Sequence, residues 1–357
     1  MVKLLLAFTA LASLAMSSYD ADLQRLQKQI EDARAGGDAT RIAAATYSRA
    51  SLTADFAELQ AAERAIEEAL RISPTPELLL LRANFNFKMH RLQRAKADLA
   101  RLTDGNNGSE PVKTLAARIA LQEGDYAAAR AAYTAIVERT HSWDAIASLA
   151  YYESVTGNPD GADRLYAAAE DELSAKEMRS YAWVEVQRGV LDFDRGRYAE
   201  ALVHYQRAER AYSGWWLVEE HTAEVLAALG RNAEAEALYR IAIEQTHNPE
   251  YVAALAKLTR QSDAEAMKLY DAQLALYPEA AGGHLIRHLL ASPGSDERLL
   301  QLAKQNVALR PNGESRLLLA KAYWRAGRVE DARRELRGVR ATPFRTPELA
   351  AFERAVR

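Results

Sequence analysis

The chain has 357 residues, 49% apolar and 27% charged, the balance of a folded protein rather than a disordered one. It has no cysteine, which excludes disulfides, cysteine-ligated zinc, iron–sulfur clusters and a thiol nucleophile. Its 46 basic and 49 acidic residues leave a net charge of −3, so no bulk field draws it to nucleic acid or an acidic membrane.

The chain opens with Lys3, a dozen nearly uninterrupted apolar residues at 4–15, and a small-residue exit at Ser17 and Ser18. This reads as a secretory signal peptide over residues 1–17, cleaved after Ala15 or after Ser17. The run is too short to span a bilayer, and no second run of spanning length follows. Residues 18–357 are therefore expected to be one folded unit, periplasmic or secreted, with no integral membrane span after cleavage.

Residues 20–34 come next, with Leu23, Leu26 and Ile30 on one face of a polar helix. Beyond it one pattern recurs. Anchors fall at Ala62, Ala95, Ala129, Ala162, Ala201, Ala235, Ala266, Leu299 and Ala332, spaced by 33, 34, 33, 39, 34, 31, 33 and 33 residues. The clear copies read glycine, then alanine five residues on, then an aromatic or leucine four further, as in Gly196, Ala201 and Tyr205. Such offsets put anchor and aromatic on one helical stripe. A small residue twelve positions upstream, such as Ala50, Ala83 or Gly189, marks a second helix that can approach closely. The glycine ends that helix, so each unit is helix, turn, helix. The Leu299 copy departs, with Arg287 where a small residue is expected.

All ten prolines fall outside the expected helix bodies, where an interior proline costs about 3 kcal/mol. Residues 105–109 read as a loop, and the 39-residue spacing marks an insertion near 170–177. A last helix spans 346–356, capped by Thr346 with Pro347 in its first turn.

These residues resemble the tetratricopeptide repeat (TPR) family over about residues 39 to 340. The resemblance implies an all-α, right-handed superhelical solenoid of antiparallel helix hairpins, about nine repeats plus capping helices. It also implies a concave groove lined by the first helix of each pair, at 18, 15, 11 and 8 positions before the anchor. The groove set so chosen includes Asn84, Phe87, Arg118, Tyr151, Trp183, Phe193, Glu220, Glu224, Tyr251, Lys321 and Trp324.

No phosphate loop, nucleophile elbow or zinc-protease motif occurs. The expectation is a non-enzymatic exported scaffold, without cofactor or metal, binding a protein or peptide in the groove. Its setting would be cell-envelope assembly, secretion or polysaccharide export. Two alternatives stand beside it. One is a metal-dependent hydrolase using the i, i+4 pair His284 and His288. The other is a structural module that forms a homo-oligomer through its end helices.

Overall fold

The computed structural model describes residues 16–103, 108–292 and 294–356. The core of the signal segment and the loop residues 105–107 lie outside them. The described residues form twenty helices. A first helix, α1 (Ser18–Ala35), precedes nine hairpins: α2 (Ala39–Thr53) with α3 (Phe56–Ile72), α4 (Pro76–Lys88) with α5 (Leu92–Leu102), and α6 (Glu110–Gln122) with α7 (Tyr126–Thr140). Next come α8 (Trp143–Val155) with α9 (Pro159–Asp171), α10 (Met178–Asp194) with α11 (Tyr198–Ala211), and α12 (Trp216–Ala228) with α13 (Asn232–Thr246). The last are α14 (Pro249–Thr259) with α15 (Ala264–Leu276), α16 (Pro278–Ala291) with α17 (Asp296–Leu309), and α18 (Gly313–Arg325) with α19 (Val329–Arg340); α20 (Pro347–Ala355) follows.

The reason for these helices lies in the repeated pattern. All nine anchors are completely buried, and their partners four residues on are buried too, from Ile66 through Tyr133, Tyr166 and Tyr205 to Leu336. A small anchor lets the two helices close on each other, and the large partner fills the gap between successive hairpins. Six prolines sit in the first turn of a helix, where the missing N–H has no intrahelical acceptor anyway. The Thr346 side chain accepts from Leu349 N, as an N-cap should. The inserted stretch is the connection 172–177 together with a lengthened α10.

Two turns are longer than the common length. The α14–α15 and α16–α17 connections hold four residues, 260–263 and 292–295, where 156–158 and most others hold three. One extra residue advances the first helix by one position, about 100°. The residue of α16 turned into the core is therefore Ile286, completely buried, and Arg287 points away from it. The same slip takes Tyr251 out of the expected groove set. Its ring is 6% exposed and lies 6.1 Å from that of Trp216, inside the core.

The hairpins wind until the chain meets itself. Ser18 N donates to Ser213 Oγ (3.1 Å) and Trp216 Nε1 donates to the Leu52 carbonyl (2.8 Å). Tyr277 Oη donates to Glu63 (2.9 Å), Gly313 N donates to Tyr126 Oη (2.9 Å), and Arg345 N donates to the Val155 carbonyl (2.8 Å). Apolar clusters cross the same seam. One joins Leu121, Tyr126 and Tyr152 to Leu317, Phe344 and Phe352, and another joins Tyr19 and Leu52 to Trp215 and Val218. The end helices are thus seated against the middle of the chain. Gly157 shows how close the approach is: at φ +87° it lies against Arg345, and an added Cβ would stand 2.7 Å from the Arg345 Cβ.

Candidate functional site

The winding makes the concave face an inner wall. Cavities line it one after another and share walls. One of about 270 Å³ is bounded by Phe87, Lys88, Arg118, Tyr151, Trp183 and Gln187. A neighbour of about 550 Å³ shares Arg118 and Trp183, and one of about 300 Å³ shares Tyr151 and reaches Asp194, Arg287 and Glu348. Asn84 borders a smaller one with Arg118 at the side of Glu110 and Asp144.

Five residues of the expected groove set therefore line connected space: Asn84, Phe87, Arg118, Tyr151 and Trp183. Six do not. Tyr251 is in the core for the reason given above. Phe193 packs on Tyr198 with ring centres 5.3 Å apart, and Trp324 packs edge-on against Phe352 at 6.4 Å. Lys321 is held by Glu348 at 2.6 Å. Glu220 and Glu224 lie beside His221 on α12.

Sequence reasoning missed two rows of the wall. They stand 14 and 7 positions before the anchor: Ser148 and Gln187 in the first, Lys88, Gln122, Val155 and Asp194 in the second. Offsets of 18, 14, 11 and 7 are one continuous i, i+4, i+7, i+11 stripe, so the signal was present in the helical period. The rows at 15 and 8 lie on the stripe's flank and divide. Thr114, Ala147, Phe87 and Leu121 border cavities, whereas Val186 and Leu317 are completely buried.

Some charges of the wall are paired and others are not. Glu314 and Glu348 are bridged by Arg287 at 2.7 and 3.1 Å, and Glu250 pairs with His284 at 2.7 Å. Lys88 and Arg118 have no carboxylate or hydrogen-bond partner among the described residues; Arg118 rests over the Phe87 ring at 5.0 Å. Burial, reinforced by Arg118, holds the Lys88 ammonium below its ordinary range. Arg310 is 7% exposed, and its Nη1 donates to His90 Nε2 at 3.2 Å. Burial first, then the Arg310 charge, pushes His90 down to about 3, so it stays neutral. Burial drives the Glu220 carboxyl up to about 7 and raises Asp194, with Glu224 adding to the Asp194 shift.

The histidine pair of the alternative, metal-dependent reading does not converge. His284 Nδ1 faces Glu250, whereas His288 Nε2 lies 3.1 Å from Asp263 and its ring packs on Tyr270 at 5.1 Å.

The tetratricopeptide repeat model matches residues 221–240 and 313–337, within the sixth and ninth hairpins. No curated protein matches its sequence. Among solved structures, the Cut9–Hcn1 hetero-tetramer of the APC/C superposes with a TM-score of 0.55 at 13% identity, over 96% of this chain and 60% of that one. This chain thus spans less than two thirds of that relative, and the likeness establishes the fold, a solenoid of helical hairpins. A tetratricopeptide repeat protein of Parabacteroides merdae gives 0.42 at 14% identity, over 80% of this chain and 99% of that one. Pseudomonas aeruginosa pilF gives 0.38 at 19% identity, over 69% and 97%.

Proposed function

We propose that this tetratricopeptide-repeat chain is an exported scaffold that holds an extended segment of a protein partner along its inner wall. The fold is that of a protein-interaction scaffold, and no described helix is long and apolar enough to cross a membrane. The observation that carries the reading is the chamber between Lys88, Arg118, Tyr151 and Trp183. Two unpaired cations stand there beside aromatic faces, one of them (Tyr151) 42% exposed. Unpaired cations in a partly desolvated wall are costly unless a ligand supplies negative charge. An extended peptide presenting a carboxylate next to an apolar or aromatic side chain meets both demands.

Export rests on the signal-like residues 1–17. Cleavage after Ala15 is the better of the two sites, because Ser17 is the N-cap of α1. Its hydroxyl accepts from Asp20 N at 3.0 Å, and it lies against Gly214. Mass measurement of the mature chain decides between a start at Met16 and one at Ser18. A role in envelope assembly, secretion or polysaccharide export follows from that location and is part of the proposal.

The test is photo-crosslinking from position 151, with a Lys88→Glu/Arg118→Glu variant as comparison. The wild type is expected to capture acidic segments of a small set of partners, and the variant to lose them. Equal capture by both removes the chamber from the reading.

A further inference from the structure

Helix α12 carries Glu220, His221 and Glu224, and each offers one ligand atom within 4.8 Å of the other two. His221 Nδ1 stands 3.3 Å from a Glu220 oxygen and 3.7 Å from a Glu224 oxygen. A tetrahedral ion with bonds of about 2.0 to 2.2 Å spaces its ligands about 3.3 to 3.6 Å apart. The two spacings from Nδ1 are close to two edges of such a shell and the carboxylate oxygens lie within 4.8 Å of each other, so small side-chain rotations bring the three atoms to three corners and leave a fourth open.

Three further features point to an ion rather than to an ordinary ion pair. Nδ1 is shut off from solvent, yet neither carboxylate meets it in hydrogen-bond geometry. The imidazole is held flat against the Tyr205 ring, centres 5.6 Å apart and planes at 20°, so its direction is fixed before any ligand arrives. The charge is also unbalanced. Asp194 on α10 adds a third carboxyl to Glu220 and Glu224. The other groups facing them are committed elsewhere: Glu250 on α14 to His284, and Arg287 on α16 to Glu314 and Glu348.

We propose that Glu220, His221 and Glu224 form a binding site for one first-row divalent transition-metal ion of the zinc type. The donor set is one imidazole nitrogen and two carboxylate oxygens. It suits zinc or cobalt(II) and disfavours magnesium and calcium, which take six or more oxygens. The ion neutralises the acidic side of the wall, and water completes its shell.

The experiment uses the mature full-length chain, freed of metal by chelation and titrated with cobalt(II). Expected is visible absorption of a low-coordinate cobalt site saturating at about one equivalent, and its displacement by zinc. His221→Ala and Glu224→Gln should each weaken binding by about tenfold or more. His284→Ala, at the separate histidine–carboxylate pair, should leave it unchanged. Far-UV circular dichroism checks each variant. Glu224→Gln preserves the shape of a side chain that is 43% exposed, so it carries the test if the histidine variant does not fold. Absence of stoichiometric uptake by the wild type overturns the site. So does wild-type affinity in a folded Glu224→Gln variant, or loss of binding in His284→Ala alone.

Discussion

Gly157 and Gly196 occupy the same place in successive hairpins, the turn after the first helix, with φ of +87° and +73°. Alanine at either must adopt a left-handed conformation, at about 1 to 2 kcal/mol. Only Gly157 faces another part of the chain: its added Cβ would lie 2.7 Å from the Arg345 Cβ, while that of Gly196 would meet nothing within 4 Å. Relieving the clash means moving the 342–346 segment away from the Val155 carbonyl and from the α8–α9 turn. Overpacking of this kind adds about 1 to 3 kcal/mol. Gly196→Ala is thus expected to cost about 1 to 2 kcal/mol, and Gly157→Ala about 2 to 5. Urea unfolding gives the totals, and amide exchange gives the location. In Gly157→Ala the Arg345 amide, which donates across the seam at 2.8 Å, should lose protection together with α20. Equal costs for the two variants, with the Arg345 amide equally protected, would refute the claim that the superhelix closes on itself.

Three further outcomes are expected. His90 is held near 3 in the fold against about 6.5 when unfolded, so the unfolded chain binds the extra proton between those values. Stability is then complete above pH 6.5 and falls on acidification, by up to about 2 kcal/mol at pH 5. His90→Asn, which tolerates the φ of +54°, should flatten that difference in urea midpoints. Glu185 is completely buried and binds Tyr181 Oη at 2.9 Å and His204 Nδ1 at 2.5 Å. Glu185→Ala strands both partners and should cost about 3 to 5 kcal/mol by equilibrium denaturation. Trp216→Phe removes the hydrogen bond to Leu52 and should cost about 1 to 2 kcal/mol, with faster amide exchange concentrated in α1 and α2.

Several groups of the inner wall show where sequence reasoning stopped short. Arg287 looked like a flaw in a repeat and is instead a wall residue bridging two glutamates, because a one-residue longer turn rotated its helix. His221 escaped notice because the rows at 15 and 11 before the anchor were read and the row between them was not. Lys88 and Gln122 end their helices and look solvated in one repeat considered alone. The winding encloses them.

The sequence by itself determined the hairpins. Each contact that makes one lies within about a dozen to twenty residues, so anchor, aromatic, turn glycine and boundary proline leave a periodic trace. The nine buried anchors and the Thr346 cap are where that trace places them. Tertiary structure alone decided how the hairpins close. The seam joins residues 164 to 214 positions apart, such as Leu52 with Trp216 and Glu63 with Tyr277. No local period encodes such pairings, because they arise from the small rotation between neighbouring hairpins summed over a full turn. That sum seats α1 and α20 against the middle of the chain and turns a concave face into an enclosed wall. On that wall stand Lys88 and Arg118, without carboxylate partners among the described residues, and the acidic cluster around His221.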